Sequence, residues 1–400
     1  MKHQTRILFG LAAALIACMT FSGICRAENP FAQWVTMGTR GVFPHTPALS
    51  PSGELHVSAS VDFDVAINPA RPELGPLEMS TDALVKFDRQ GRLVSTNRLV
   101  GVTSEHSAFD AGGNRYLTGN FDTNGWFSGS ITSTNYLFAP AEVHGFFIAK
   151  YSPDDELLWV RSQALADNAT LLNRGSAIAV DAEGNIFVGG VSQGPMTLGN
   201  VQFGEGGGPL LCKYDRDGQL LWAKRVDHQS FVQFPEVWLY DLSVDPAGNI
   251  VICGFLTDGS ADFGGTTVFP GSTGLGYGGD FFIARFKPNG DLHWVQLGYA
   301  ISVRADKKGD IYAAFLWTKD IVGSGLAKFS SNGDLLWSKT FSGEVYMAVG
   351  KNLALDPNDE PVFTGEFLTT AQFGGITLRP RTTGRGDFFL AKADAQGNIP

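Results

Sequence analysis

The chain has 400 residues, 44% of them apolar and only 18% charged, with 49 glycines and 30 phenylalanines. That content allows a real core, and few charges among many turn formers and aromatics suit an all-β protein better than a helical one. With 30 basic against 40 acidic residues the formal net charge is −10, a poor neutraliser of phosphate, so nucleic acid is excluded as an expected partner.

In chain order, the first element is an address. Lys2 and Arg6 precede an apolar run from Ile7 to Ile16, and Cys25-Arg26-Ala27 follows. This is the layout of a secretory signal peptide cleaved near Ala27, leaving 28–400 as a single domain. The run is shorter than the ~20 apolar residues of a membrane anchor, and no later stretch is long and apolar enough to span a bilayer. Leu15-Ile16-Ala17-Cys18 also resembles a bacterial lipobox, in which Cys18 would carry a lipid; soluble export is the favoured reading. The mature chain is expected to be secreted, periplasmic or on the cell surface, and monomeric. It keeps only Cys212 and Cys253, both in apolar strand-like runs. They are expected to be buried thiols in preference to a bridge.

The rest of the chain repeats itself. One signature, an apolar strand, Asp-x-x-Gly-Asn and a second apolar strand, recurs at 107–119, 176–190 and 241–254, with weaker copies at 48–58, 302–314 and 353–365. A second signature alternates with it, clearest as FFIAKYSPDDELLW at 146–159. Its other copies lie at 83–95, 210–222, 281–294, 326–337 and 388–400. Both read as hairpins in which Asp or Ser opens the turn and a residue three positions on takes the left-handed conformation. Those left-handed positions are Gly53, Gly113, Gly184, Gly248, Gly309 and Asp359 in the first turns, and Gly91, Asp155, Gly218, Gly290, Gly333 and Gly397 in the second. Asp is among the non-glycine residues that tolerate positive φ. The copy at 83–95 is degenerate, with Ser95 where tryptophan is expected.

Two hairpins per unit make a four-stranded antiparallel sheet, and such sheets repeated at this pitch pack around an axis. The expected fold is a six-bladed β-propeller. Gln33-Trp34-Val35 supplies the outer strand that should follow Gly397, so the N-terminal strand closes the last blade.

The motifs Asp-x-x-Gly-Asn-Ile-Phe-Val-x-Gly, Asp-Phe-Gly-Gly at 262–265 and Phe-Phe-Ile-Ala-Lys-Tyr-x-x-x-Gly-x-Leu-Leu-Trp resemble the bacterial SBBP-type β-propeller repeats, over about residues 31–400. The resemblance implies a secreted or surface repeat protein and says nothing of chemistry. The first and fifth units depart from it, and the family name suggests seven blades, so a seven-bladed variant stays open.

Several patterns match chemical motifs by letter only. Gly274-x-Gly276-x-x-Gly279 lacks the preceding strand and following helix of a dinucleotide site. Asp215-Arg216-Asp217-Gly218 has neither calcium-loop nor sialidase-box spacing and reads as hairpin chemistry. Trp159, Trp222, Trp294 and Trp337 resemble the tryptophan docking motif of quinoprotein propellers but lack its threonine; inter-blade core is the expectation. A cation recurs in each third strand, at Lys86, Lys150, Lys213, Arg285, Lys328 and Lys392. A ring of six could bind an anion, but a snorkelling stem, its charge at the surface or paired with carboxylates, is expected. The histidines are scattered, and no nucleophile–base pair, catalytic residue, metal site or cofactor is assigned.

Function is expected on the long connections between hairpins. The candidate contacts there are His106, Trp126, Tyr136, Asp167, Arg174, His228, Phe231, Phe234 and Tyr346. The favoured reading is a binding or scaffold module for a protein or glycan at the cell surface or in the periplasm. The alternatives are a propeller enzyme, either a glycan-active hydrolase or lyase or a quinoprotein-like dehydrogenase, and a purely structural repeat.

Overall fold

The computed structural model describes residues 42–61, 81–89, 92–130, 133–137, 145–164, 173–230, 237–271, 278–298, 300–316, 324–347, 352–380 and 387–399. Every regular element among them is a strand. The expected signal segment, Cys18, the Gln33–Val35 strand and Gly91 lie outside the described residues.

The chain divides into two compact units, one comprising Met1–Val188, Met196–Asn200 and Tyr214–Leu220, the other Gly189–Pro195, Val201–Lys213 and Leu221–Pro400. The first unit holds two blades. Val42–Leu49, Leu55–Val61, Thr81–Phe87 and the start of Leu93–Phe109 pair in sequence, each antiparallel to the next. The end of Leu93–Phe109 then pairs with Arg115–Ser130, which pairs with Gly145–Tyr151, which pairs with Leu157–Ala164. One long strand therefore leaves the outer edge of the first blade and becomes the inner edge of the second. Gly101, at φ 68°, sits where its pairing changes over.

The third blade contains Asn173–Val180, Ile186–Gln193, Gly207–Tyr214 and Leu220–Arg225, and the division between the units falls within it. The second unit continues with Val237–Val244, Ile250–Thr257, Gly279–Phe286 and Leu292–Leu297, then Ala300–Ala305, Ile311–Leu316, Ser324–Phe329 and Leu335–Thr340. In the last sheet Leu353–Leu355, Pro361–Phe367 and Asp387–Lys392 make three strands of a blade. The fold is all-β, built of antiparallel four-stranded propeller blades. Among the described residues five blades are complete, instead of the six expected, and the last has three strands.

The turns follow the local chemistry of the repeat. Of the twelve positions expected to be left-handed, all but the undescribed Gly91 have positive φ, including Asp155 at 62° and Asp359 at 61°. Each first turn closes with two backbone bonds, as in Gly248 N–H to Asp245 O at 2.9 Å and Asp245 N–H to Asn249 O at 3.0 Å. Hydrophobic residues between sheets complete the blades. In the second unit Phe341 stacks on Phe363 with centroids 5.2 Å apart, and Phe373 packs against Phe389 at 4.6 Å. Each such buried aromatic stabilises by roughly 1.5–3 kcal/mol. Cys212 and Cys253 are both buried and form no disulfide.

Candidate functional site

Three of the recurring cations are spent within their blades. Arg285, 4% exposed at its side chain, meets Asp245 at 2.6 Å. Lys328 meets Asp306 at 2.9 Å, and Lys392 meets Asp356 at 2.8 Å. Each aspartate already holds its own turn. One Asp245 oxygen accepts the N–H groups of Ala247 and Asn249, which leaves the other for the cation. Burial works against charge on Lys392, but hydrogen bonds to Asp356 and Glu360 outweigh it and raise its pKa above the usual lysine value. Burial likewise works against the Asp356 carboxylate, and the Lys392 bond together with its turn N–H groups holds it low. These are charge-assisted clamps between strands. Lys150 is placed differently, 5.1 Å over the Tyr116 ring, with Nζ donating to Arg216 O at 3.2 Å.

The tryptophans join successive blades. The indole N–H of Trp222 donates to Pro288 O at 3.2 Å, that of Trp294 to Ser331 O at 3.0 Å, and that of Trp337 to Ala395 O at 3.2 Å. Each ring lies on the left-handed glycine of the next second turn. A Cβ added at Gly333 would stand 3.0 Å from Trp294, and one at Gly397 would stand 2.6 Å from Trp337. Trp159 lies on Gly218 in the same way. The first junction is polar instead. Ser95 replaces tryptophan, Asp155 replaces glycine, and Ser95 Oγ donates to Asp155 Oδ2 at 2.6 Å.

The connections between hairpins carry short strands of their own, at Met196–Leu198 and Val201–Phe203, at Asp227–Ser230 with Gly259–Asp262, and at Ala371–Phe373 with Ile376–Leu378. This changes the setting of several candidate contacts. His228 lies in one of these strands, is buried, and donates from Nε2 to Thr257 O at 2.9 Å. Burial lowers its pKa despite that bond. His106 is also buried in a strand, where Nδ1 accepts the Ile178 N–H at 2.9 Å. Trp126 and Tyr136 are brought together as directly opposed residues of an extra hairpin, Arg115–Ser130 with Ser133–Leu137. Arg174 is half-buried near the start of Asn173–Val180. Tyr346 pairs with Glu366. Asp167, Phe231 and Phe234 lie outside the described residues.

Sequence reasoning passed over Asp241, a fully buried charged group among the described residues of the second unit. It is 0% exposed. Its carboxylate accepts Ser302 Oγ–H at 2.5 Å, Arg304 Nη1–H at 2.6 Å and the Val303 N–H at 3.1 Å. An aspartate inside the apolar strand Val237–Val244 was the available signal, because a charge is buried only with partners. Among the described residues no three His, Cys, Asp or Glu side chains converge as a metal site. No helix there is long and apolar enough to cross a membrane.

No family model matches the chain, and no curated protein matches it. Solved structures are similar at low identity. The Dos1 propeller aligns with 82% of this chain and 66% of its own, just under two thirds, at 9% identity and TM-score 0.44. A protein of unknown function from Dyadobacter fermentans aligns with 88% of this chain and 95% of its own, at 12% identity and TM-score 0.42. An ulvan lyase from a family of polysaccharide lyases aligns with 85% and 78%, at 10% identity and TM-score 0.41. Similarity at this level transfers neither substrate nor activity.

Proposed function

We propose that the chain is an exported, SBBP-like six-bladed propeller that serves as a binding or scaffold module for a protein or glycan at the cell surface or in the periplasm. In this reading the N-terminal strand supplies the outer strand of the last blade. One observation carries the functional part. In the fourth to sixth blades the recurring polar groups are engaged in holding strands and blades together, as in Arg285–Asp245 and Trp294–Ser331. The connections between hairpins differ from blade to blade, and one of them opposes Trp126 and Tyr136 on adjacent strands. A uniform scaffold with individual loops suits recognition.

The test is a glycan array and a surface-extract screen, read by thermal shift and repeated with Trp126→Ala and Tyr136→Ala. The expected result is one ligand class that raises the Tm of the wild type and binds the variants at least about tenfold more weakly. Turnover of a glycan, or binding indifferent to both variants, would overturn the reading.

A further inference from the structure

Five of the six first turns open with aspartate, at Asp110, Asp181, Asp245, Asp306 and Asp356, whereas the first blade has Ser50. In the fourth, fifth and sixth blades the carboxylate has two tasks. One oxygen accepts N–H groups two and four residues on, and the other accepts the third-strand cation. Ser50 performs only part of the first task, its Oγ accepting the Glu54 N–H at 3.1 Å. It has no second oxygen, so the carboxylate that would face Lys86 is missing.

The walls also differ at the same place. His56 stands where the sister blades carry Tyr116, Phe187, Val251, Tyr312 and Val362. Gly112 stands where others carry Glu183, Ala247, Lys308 and Asn358. The result is a cavity of roughly 370 Å³ in the first unit, whose lining includes Ser50, Ser52, Glu54, His56, Gly112 and Pro153.

The polar groups here are only partly matched. Lys86 Nζ donates to Pro153 O at 3.1 Å and meets Glu54 Oε1 at 3.3 Å, both on the cavity wall. His56 is 3% exposed, and its Nδ1 has no partner. Arg115, 2% exposed, occupies a slot filled by Ile186, Ile250 and Ile311 in other blades. Its Nη2 donates to Ser58 Oγ at 3.1 Å, and its Nε has no partner. Such groups cost stability when buried unpaired.

The fifth and sixth blades show what a lysine in this position can hold. Lys392 takes Asp356 at 2.8 Å and Glu360 at 2.5 Å. Lys328 takes Asp306 at 2.9 Å and Asp310 at 3.6 Å. Lys86 has only the second of these two carboxylates, Glu54.

We propose that this cavity binds a small organic carboxylate, which takes the place of the missing aspartate oxygen and pairs with Lys86, whose Nζ already contacts the wall residues Glu54 and Pro153. Its volume lies at the low end for small-molecule sites and admits an acid of monosaccharide size. Hydroxyls on such an acid would meet Ser50 and Ser52. The site lies among tight turns and is independent of the loop-borne recognition proposed above.

Thermal unfolding in acetate and galacturonate, against chloride and galactose at equal ionic strength, tests it. Both carboxylates should raise the wild-type Tm by a few degrees at saturation, and chloride and galactose should not. Ser50→Asp should raise the Tm without ligand and abolish the response, because its own carboxylate fills the seat. Lys86→Met should abolish the response as well; where that variant does not fold, Ser50→Asp decides. Three results would overturn the proposal: no carboxylate response up to about 50 mM, galactose acting as galacturonate does, or Ser50→Asp responding like the wild type.

Discussion

The first and fifth blades share a backbone plan and differ at nearly every recurring contact. In the fifth, Asp306 opens the turn and holds Lys328, whose ammonium also lies 4.4 Å over the Tyr312 ring. The junction entering that blade is Trp294 on Gly333. In the first, Ser50 opens the turn, His56 replaces the tyrosine, and the junction leaving the blade is Ser95 on Asp155. The fifth blade thus ties its strands with a buried ion pair and an aromatic seat. The first has no turn-opening carboxylate; its Lys86 reaches Glu54 at 3.3 Å and Pro153 O at 3.1 Å, and a cavity is left beside them. One fold accepts both because the hairpin geometry itself is carried by the turn hydrogen bonds and the left-handed residue, which the first hairpin of each blade retains at Gly53 and Gly309.

The largest difference should appear at the turn opener. Asp306→Ala removes the acceptor of two backbone N–H groups and strands Lys328, whose remaining carboxylate, Asp310, is 3.6 Å away. Losing one partner of a buried pair costs about 3 kcal/mol. Ser50→Ala should cost less than about 1 kcal/mol. Chemical denaturation measures both, and equal losses would erase the distinction between the blades.

Acid should act next, through His56. Burial, then the charges of Arg115 and Lys86, push its pKa from 6.5 to about 2. The folded value lies below the unfolded one. The stability this group contributes is therefore complete above pH 6.5 and is lost as pH falls towards 2. At pH 4.5 the loss is about 2–3 kcal/mol. His56→Tyr, which installs the residue of the fifth blade, should flatten the acid limb of Tm against pH. An unchanged limb would show that the imidazole is not held neutral.

A smaller effect is expected at the aromatic seat. Gly333 has φ 92°, and an added Cβ would lie 2.9 Å from Gln296 Nε2 and 3.0 Å from the Trp294 ring. Gly333→Ala should cost about 2 kcal/mol. Trp294 fluorescence should report the displaced indole; an unshifted spectrum with full stability would contradict the docking.

What was legible in the sequence tracks how local the chemistry is. Asp155 and Asp359 were readable as left-handed because a turn is decided within four residues. The ion pair of Lys392 with Asp356 spans 36 positions, so sequence gave only a choice between a snorkelling and a paired cation. His228 was placed on a loop because Asp227–Ser230 is polar throughout. Its strand pairing with Gly259–Asp262 is made by backbone groups that no side-chain pattern announces. The cavity beside Ser50 was hidden for a related reason. It arises from losses on two separate hairpins, each of which looks like ordinary drift of the repeat.

The finest comparison is the junction itself. Ser95 read alone is a degenerate tryptophan, and Asp155 read alone is a tolerated glycine replacement. Together they form a 2.6 Å hydrogen bond across 60 residues, with Asn97 Nδ2 adding a contact to Asp155 O at 3.4 Å. The physical claim is that the two changes compensate. Ser95→Trp alone would drive an indole onto the Asp155 side chain, and Asp155→Gly alone would discard the bond while relieving its φ of 62°. The double variant should regain what each loses, because it rebuilds the seat used at Gly333. A double-mutant cycle by urea unfolding should give a favourable coupling of about 1 kcal/mol. Additivity within about 0.3 kcal/mol would mean the pairing is incidental, and the first junction would then be a weakened copy of the fifth instead of a different solution.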